Sequence, residues 1–254
     1  MYIDNMQTDN IRNDVLPSTN VTDIKKKKRV ILAVPGDNFS SKFLVSWSNA
    51  LASLWMSDKY EIAVAPASGS YVTFVRMQTL GLDVRRGITQ KPFNGDNFDV
   101  WVTIDSDVIF SADHLMQLID ATEAHPVVAG IYRMADLEHF AVVKNWDMNF
   151  FSKNGTFEFL TQDAADKWKQ ETSLKYMPVN YTGMGFFACR KEVLDKMIYP
   201  YFDGDLREIV SDTGVIMKDI SSEDVNFCQN IAKAGFEIVV NLDLRVGHLK
   251  PLVI

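Results

Sequence analysis

Residues 99–108 read DVWVTIDSDV, and this segment decides the fold that the sequence predicts. The run at 100–104 is apolar or β-branched throughout, which is typical of a strand covered on both faces of a mostly parallel sheet. Two carboxylates, Asp105 and Asp107, follow directly after this strand. Positions i and i+2 of an extended chain point the same way, so both carboxylates can face one ligand. Ligands of such sheets bind beyond the carboxyl ends of the strands, where this pair is expected.

Strands and helices alternate on both sides of this segment. Apolar runs predict further strands at residues 30–34, 60–65, 127–132, 185–188 and 236–240. Apolar residues at helical spacing, together with capping residues, predict helices at residues 40–55, 70–80, 111–123, 190–197 and 222–234. This alternation indicates an α/β fold, in which helices flank both faces of a mostly parallel sheet.

The length of 254 residues, 47% of them hydrophobic, fits one large domain, which we place at residues 29–254. Residues 1–28 are polar and end in a basic run, and we predict that they form a flexible arm. Residues 133–178 are rich in aromatic residues. We predict a small insertion there, with short strands and a tight hairpin around Asn154-Gly155.

Charge and hydropathy restrict the partners and the location. The net charge of −7 argues against broad nucleic-acid binding. No apolar run of about 18 residues is present, so no membrane span is expected. The first residues do not resemble a secretory signal, and we predict a cytoplasmic protein. Cys189 and Cys228 are expected to be buried free thiols in a reducing compartment.

The chemistry of the aspartate pair favours a metal site. Two carboxylates held side by side are costly unless a cation lies next to them. Oxygen ligands suit Mg²⁺ or Mn²⁺, and Mg²⁺ keeps waters and substrate phosphates in its coordination shell. The alternative is that Asp105 and Asp107 serve only a turn or a helix cap, since aspartate is common in both.

Two further features near the end of the chain carry ionisable groups. Glu223 and Asp224 stand at a predicted helix start, where one carboxylate can act as a general base. Alternatively, Ser221 and Asp224 form a capping box with no catalytic role. His248 follows Gly247, and its ring can offer a nitrogen to a cation or simply pack within the structure.

Taken in order, these pieces resemble the GT-A glycosyltransferases, especially the family-2-like group, over about residues 29–250. The stretches that carry the resemblance are residues 33–38, 70–76, 104–107, 180–187, 222–228, 234–236 and 246–248. The resemblance implies a Rossmann-like domain that transfers a sugar from a UDP- or GDP-linked donor. The acceptor would be a hydroxyl of a carbohydrate or of another molecule.

The resemblance also implies a role for individual residues on the donor side. Asp107 and His248 would coordinate Mn²⁺ or Mg²⁺, and Asp105 would contribute to the metal site or bind the nucleoside. Arg76 would contact the nucleotide or support Asp105, and the nucleotide and sugars would also lie against Pro35, Gly183 and Gly185.

On the acceptor side, Asp224 would be the catalytic base, with Glu223 as the second candidate. No retaining-type nucleophile is evident, so we expect inversion at the anomeric carbon. Two other functions stay open, a nucleotidyltransferase that makes nucleotide sugars and a non-catalytic carbohydrate-binding relative. The acidic loop at residues 35–38 counts against the nucleotidyltransferase, because such enzymes open with a glycine-rich phosphate loop.

Overall fold

The computed structural model describes residues 26–211 and 213–250, so all but the last three positions of the predicted arm lie outside the described residues. The strands in these ranges are β1 (Lys28–Pro35), β2 (Tyr60–Ala67), β3 (Val100–Ile104), β4 (Val108–Ile109), β5 (Val127–Ile131), β6 (His139–Val143), β7 (Phe159–Thr161), β8 (Tyr176–Val179), β9 (Tyr181–Thr182), β10 (Phe186–Arg190), β11 (Leu206–Val210), β12 (Ile216–Ile220), β13 (Ile238–Arg245) and β14 (Gly247–His248).

The helices in the same ranges are α1 (Ser41–Met56), α2 (Val72–Thr79), α3 (Ala112–Ala121), α4 (Met148–Asn154), α5 (Gln162–Thr172), α6 (Lys191–Lys196) and α7 (Glu223–Lys233). Two short 3₁₀ segments, Val84–Arg86 and Pro92–Gly95, lie between α2 and β3.

The main sheet has seven strands in the order β2-β1-β3-β10-β5-β13-β8. Strand pairing shows that β10 and β8 run against the other five strands, which share one direction. Helices α1 and α3 pack on one face of the sheet, and α6 and α7 pack on the other. The predicted Rossmann-like α/β architecture, with a mostly parallel sheet and helices on both faces, is therefore confirmed.

The side chains of strand β3 are buried alternately on the two faces of the sheet, which holds the strand in place. The Trp101 side chain enters the core under α7, while the neighbouring valines enter the core under α1 and α3. The Trp101 ring lies 6.1 Å from that of Phe227, which in turn stacks on Phe202 at 4.3 Å. Each large side chain removed from water contributes about 1.5–3 kcal/mol, so β3 is anchored just before the aspartate pair.

Helix α1 begins where the sequence predicts because the Ser40 side chain accepts a hydrogen bond from the backbone of Phe43. Ser111 caps α3 in the same way, and the His114 side chain completes a capping box there. Phe43 and Leu54 of α1 are buried against the sheet. These local signals are strong enough to define both helices from sequence.

The aromatic-rich insertion is more helical than predicted. The hairpin expected at Asn154-Gly155 is wrong, because Asp147 caps the start of α4 and Gly155 ends that helix with φ +67. Residues 162–172 form α5, which the sequence analysis does not predict as a helix. The predicted strands of the insertion are present as the small sheet β7-β6-β9.

The structure also bears on the two cysteines, on membrane-spanning segments and on one hairpin near the end of the chain. Cys189 and Cys228 are free and buried, as expected. Within residues 26–211 and 213–250, no helix is long and apolar enough to cross a membrane. The hairpin of β11 and β12, which the sequence analysis leaves unassigned, stands beside the start of α7.

Candidate functional site

Asp107 and His248 are brought together by a short antiparallel pairing. Strand β14 pairs with β4, so that His248 lies opposite Val108, one residue after the aspartate. The backbone N–H of Leu249 donates to the carbonyl oxygen of Asp107 at 2.7 Å. As a result, His248 Nε2 lies 3.2 Å from Asp107 Oδ2. The last described segment of the chain therefore completes the site that begins after β3.

The tautomer of His248 suits a role as a ligand. Its Nδ1 lies 2.7 Å from the carbonyl oxygen of Arg133, which only an N–H can satisfy. In the neutral ring this leaves the Nε2 lone pair directed at the Asp107 side. The protonated ring instead donates from Nε2 to Asp107, and this hydrogen bond raises the pKa of His248 above its ordinary value, although burial opposes this.

Lys250 is the third group at this carboxylate. Its Nζ lies 2.7 Å from Asp107 Oδ2, the same oxygen that His248 faces. Burial acts to raise the pKa of Asp107, but the hydrogen bonds from His248 and Lys250 outweigh it and lower the pKa to about 2. Asp107 is thus a carboxylate that is ionised and surrounded by positive charge.

One carboxylate, Asp107, and one imidazole, His248, are the side chains here that could hold a divalent cation. An aspartate oxygen and a histidine nitrogen fit Mn²⁺, and Mg²⁺ or Mn²⁺ bound in this way completes its shell with waters and phosphate oxygens. Among residues 26–211 and 213–250, no group of three or more His, Cys, Asp or Glu side chains is arranged to hold a metal ion. The three-residue metal set expected from sequence is therefore not grouped among these residues, and Asp105 pairs with Arg76 instead.

Arg76 binds both carboxylate oxygens of Asp105. The buried guanidinium donates from Nη1 and Nη2 to the two carboxylate oxygens of Asp105, at 2.9 and 3.1 Å. Its Nε lies 3.4 Å from Oε1 of Glu223. Burial acts to lower the pKa of Arg76, but the charges of Asp105 and Glu223 outweigh it and keep the guanidinium protonated. One arginine of α2 therefore connects the end of β3 to the start of α7.

The start of α7 differs from the predicted capping box. The N-cap residue is Ser222, and its side chain donates to Asp224 rather than accepting from the helix backbone. The Ser221 hydroxyl instead bonds to Asn226. The capping box of Ser221 and Asp224 is therefore wrong, because Ser221 lies one position before the cap.

Asp224 is held by three hydrogen bonds at the helix start. Tyr181 Oη donates to Asp224 Oδ2 at 2.7 Å, while Ser222 and the backbone N–H of Val225 donate to Oδ1. A carboxylate accepts about four hydrogen bonds, so one position stays available for an incoming hydroxyl. Burial, followed by the charge of Asp224, raises the pKa of Glu223 above its ordinary value.

Tyr132 lies behind both glycines that were expected near the donor sugar. A Cβ atom placed on Gly183 would lie 2.2 Å from Tyr132 Oη, and one on Gly185 would lie 2.9 Å from it. The backbone N–H of Gly185 donates to the same hydroxyl at 3.1 Å. The Tyr132 ring also packs edge-on against His248, with centroids 4.8 Å apart. The glycines are thus needed by Tyr132 whether or not a ligand approaches them.

The loop after β1 reaches the same edge of the sheet. Pro35 is the last residue of β1, and Gly36 follows with φ +126. A Cβ atom on Gly36 would lie 2.8 Å from the Ser106 side chain, which separates the two aspartates. The close approach places Pro35 beside the aspartate pair and explains the need for glycine at the next position.

Sequence reasoning missed three side chains of this site, which are Tyr181, Tyr132 and Lys250. Lys250 had a signal, because it stands two positions after His248 and an extended chain directs both side chains to one side. Tyr181 and Tyr132 had none, since their contacts join residues that are far apart in sequence.

Comparison with known proteins finds similarity only among solved structures. No protein-family model matches the chain, and no curated protein sequence matches it. The structure of A197 from STIV is 16% identical and covers 89% of this chain and 96% of its own, with a TM-score of 0.46. In fold, this chain is similar to GT-A glycosyltransferases.

Two such structures contain donor nucleotides. Glucosyl-3-phosphoglycerate synthase from Mycobacterium tuberculosis, in complex with Mn²⁺, UDP and phosphoglyceric acid, is 14% identical, with a TM-score of 0.43 over 90% of this chain and 73% of its own. A mannosyltransferase from Pyrobaculum calidifontis, in complex with GDP-Man and Mn²⁺, is 15% identical, with a TM-score of 0.45 over 90% of this chain. This chain spans 59% of the length of the mannosyltransferase.

Proposed function

We propose that this chain is a metal-dependent glycosyltransferase that moves a sugar from a UDP- or GDP-linked donor to an acceptor hydroxyl, with inversion. The observation that carries the proposal is the meeting of four segments, distant from one another in sequence, at one edge of the sheet. Arg76 of α2 joins Asp105, at the end of β3, to Glu223, at the start of α7. His248 of β14 lies next to Asp107, which is two residues after Asp105. Diphosphate, metal and acceptor chemistry would thus share one site.

Asp107 and His248 would hold Mn²⁺ or Mg²⁺. Bound there, the cation would supply neutralisation of the negative charge on the leaving nucleoside diphosphate. The chain's own part is to keep Asp107 ionised and to present the Nε2 lone pair of His248, which the hydrogen bond to the Arg133 carbonyl fixes. Two protein ligands leave the remaining coordination positions to phosphate oxygens and water.

Asp224 is the proposed general base. It would take the proton of the acceptor hydroxyl while that oxygen attacks the anomeric carbon. Tyr181 and Ser222 hold the carboxylate in place from the protein side. Glu223 is bound by Arg76, which supports a positioning role for it rather than a role as the base or as a nucleophile. A single available carboxylate supports inversion.

On the nucleotide side, Asp105 and Arg76 form a rigid, charged surface at the end of β3. Asp105 keeps partial exposure, with 29% of its side chain accessible, so it can still accept hydrogen bonds from ribose hydroxyls. Pro35 borders this surface from the β1 loop, and the backbone at Gly183 and Gly185 closes it beside Tyr132. These residues would position the donor.

The test is donor binding and hydrolysis with and without Mn²⁺. A thermal-shift screen of UDP, GDP and their sugar conjugates identifies the donor, because a ligand that binds the native state raises the midpoint of unfolding. Asp107→Ala is expected to abolish the Mn²⁺-dependent shift and turnover while the fold persists. Asp224→Asn is expected to lower turnover by about 10²–10⁴-fold with donor binding preserved. Full activity in either variant would refute the assigned role.

One observation favours a second candidate, a non-catalytic carbohydrate-binding relative. Lys250 already neutralises Asp107, so the site does not need a cation for charge balance. Under this alternative, no nucleotide stabilises the chain in a Mn²⁺-dependent way, and glycans still bind. The same thermal-shift screen therefore separates the two candidates.

A further inference from the structure

A cleft of about 270 Å³ opens between the β11–β12 hairpin and the aromatic insertion. We call it the hairpin cleft, and the side chains that define it are Phe151, Phe157, Phe159, Tyr181, Arg207 and Asp219. Ser222, which donates to Asp224, lines the same cleft. Tyr181 is shared as well, because its ring borders the cleft and its hydroxyl reaches Asp224. Two residues that line the cleft therefore hydrogen-bond to the proposed base.

The aromatic side of the hairpin cleft is preorganised. The Phe157 ring packs against Phe151 at 4.8 Å and against Trp146 at 4.7 Å, and Trp146 in turn contacts Tyr181 at 6.1 Å. Phe157 and Tyr181 are only half-buried, so ring surface remains accessible inside the cleft. A ligand with one flat apolar face can cover this surface without rearrangement of the rings.

The opposite side of the cleft presents one hydrogen-bond donor and one acceptor. Arg207 and Asp219 lie opposite each other in the β11–β12 pairing, and both line the cleft. Arg207 donates to the neutral side chains of Asn226 and Gln229, which aim it from α7. In the part of the chain that the structure describes, neither Arg207 nor Asp219 forms an ion pair. The guanidinium of Arg207 and the carboxylate of Asp219 can therefore still form hydrogen bonds with a ligand.

We propose that the hairpin cleft is the acceptor site and that the acceptor is a carbohydrate. A sugar ring combines a face of C–H groups, which covers an aromatic ring, with an edge of hydroxyls, which exchanges hydrogen bonds with a guanidinium and a carboxylate. In this arrangement the ring lies on Phe157 and Tyr181, and its hydroxyls bond to Arg207 and Asp219. One remaining hydroxyl then points to Asp224. The proposal rests on the proposed function for the role of Asp224.

The experiment is saturation-transfer NMR with the full chain and a panel of methyl glycosides of glucose, galactose and mannose, together with maltose, cellobiose and lactose. We expect transfer to the ring protons of at least one of these sugars. Phe157→Ala and Arg207→Gln are each expected to weaken its binding at least fivefold. Trp55→Ala is the matched control, because this exposed aromatic residue lies at the far end of α1. The Trp55→Ala variant should bind the sugar as tightly as the unaltered protein does.

Nucleotide binding to the unaltered protein is measured in parallel by Mn²⁺-dependent thermal shift. A nucleotide shift without transfer to any sugar of the panel would overturn the acceptor site and leave the proposed function standing. Sugar binding that both cleft variants retain undiminished would also overturn it. Sugar binding that these variants lose, with no nucleotide shift, would support the cleft and refute the glycosyltransferase. Arg207→Gln keeps the test decisive if Phe157→Ala does not fold.

Discussion

The ammonium group of Lys250 lies 2.7 Å from Oδ2 of Asp107, on the side of the carboxylate that the proposed cation needs. His248 approaches the same oxygen from strand β14. A divalent cation and Lys250 therefore compete for Oδ2 of Asp107. The stronger the lysine binds this oxygen, the lower the affinity of the site for the cation.

Replacing Lys250 with methionine is expected to tighten Mn²⁺ binding. The Lys250 side chain is 42% exposed, and exposed ion pairs contribute only about 0.2–1 kcal/mol, so the gain should be about 1.4- to fivefold. The free Mn²⁺ signal in electron paramagnetic resonance measures it directly. Lys167→Met, which removes an exposed lysine paired with Glu171, is the control and should change nothing. Unchanged affinity in Lys250→Met would show that the lysine does not compete.

Arg76→Met is expected to destabilise the fold by about 3 kcal/mol. Removing one partner of a buried ion pair leaves charges without compensation, and the partial exposure of Asp105 places the cost at the low end of the usual range. Urea unfolding measures the change in the free energy of unfolding. Arg85→Met breaks a solvent-exposed pair with Asp83 and should have only a small effect. Equal effects for the two variants would contradict a structural role of Arg76.

Tyr181→Phe is expected to reduce turnover about ten- to hundredfold, because the hydrogen bond that holds Asp224 is worth about 1.5–3 kcal/mol. The assay is Mn²⁺-dependent donor hydrolysis with the donor that the thermal-shift screen identifies. Tyr201→Phe is a closely matched control, because the buried Tyr201 hydroxyl has no hydrogen-bond partner among the described residues. If both variants lose the same activity, the effect comes from packing and not from Asp224.

Gly183→Ala is expected to cost about 1–3 kcal/mol of stability, since the added Cβ meets Tyr132 Oη at 2.2 Å. Tyr132→Phe removes that oxygen, so the double variant should be more stable than the sum of the two single changes by about 0.5 kcal/mol or more. Thermal or urea unfolding of all four proteins gives the coupling. Gly69→Ala is the control, because its Cβ would meet only an ordinary contact at 3.4 Å. Strict additivity would argue against the clash.

Local signals predicted much of the fold. The apolar run of β3, the apolar spacing of α1 and the cap at Ser111 placed their elements correctly, because each depends only on neighbouring residues. The insertion was harder, since Asn154-Gly155 suits both a hairpin turn and a helix end. Asp147, a cap seven positions earlier in the chain, is the residue that decides for the helix.

The sequence predicts which residues form the site better than it predicts which side chains contact one another there. Asp107 and His248 were both expected from sequence, and the pairing of β4 with β14 brings them together. The contact of Arg76 with Asp105 is one of the two roles expected for that arginine, whereas its contact with Glu223 depends on where the guanidinium points in the folded chain. Tyr181 was missed for the same reason, since its bond to Asp224 arises only when β9 packs beside α7.

Strand β13 has a consequence for how the molecule forms. It inserts between β5 and β8, and Val239 pairs with Val128, a residue from the middle of the chain. During synthesis, the ribosome must release the chain as far as residue 245 before this interior position of the sheet is filled. Such non-local pairing slows folding, and the nascent chain meanwhile exposes the open edge of β5 to aggregation. Chaperone dependence during expression should therefore concentrate on the interval before residues 238–245 leave the ribosome.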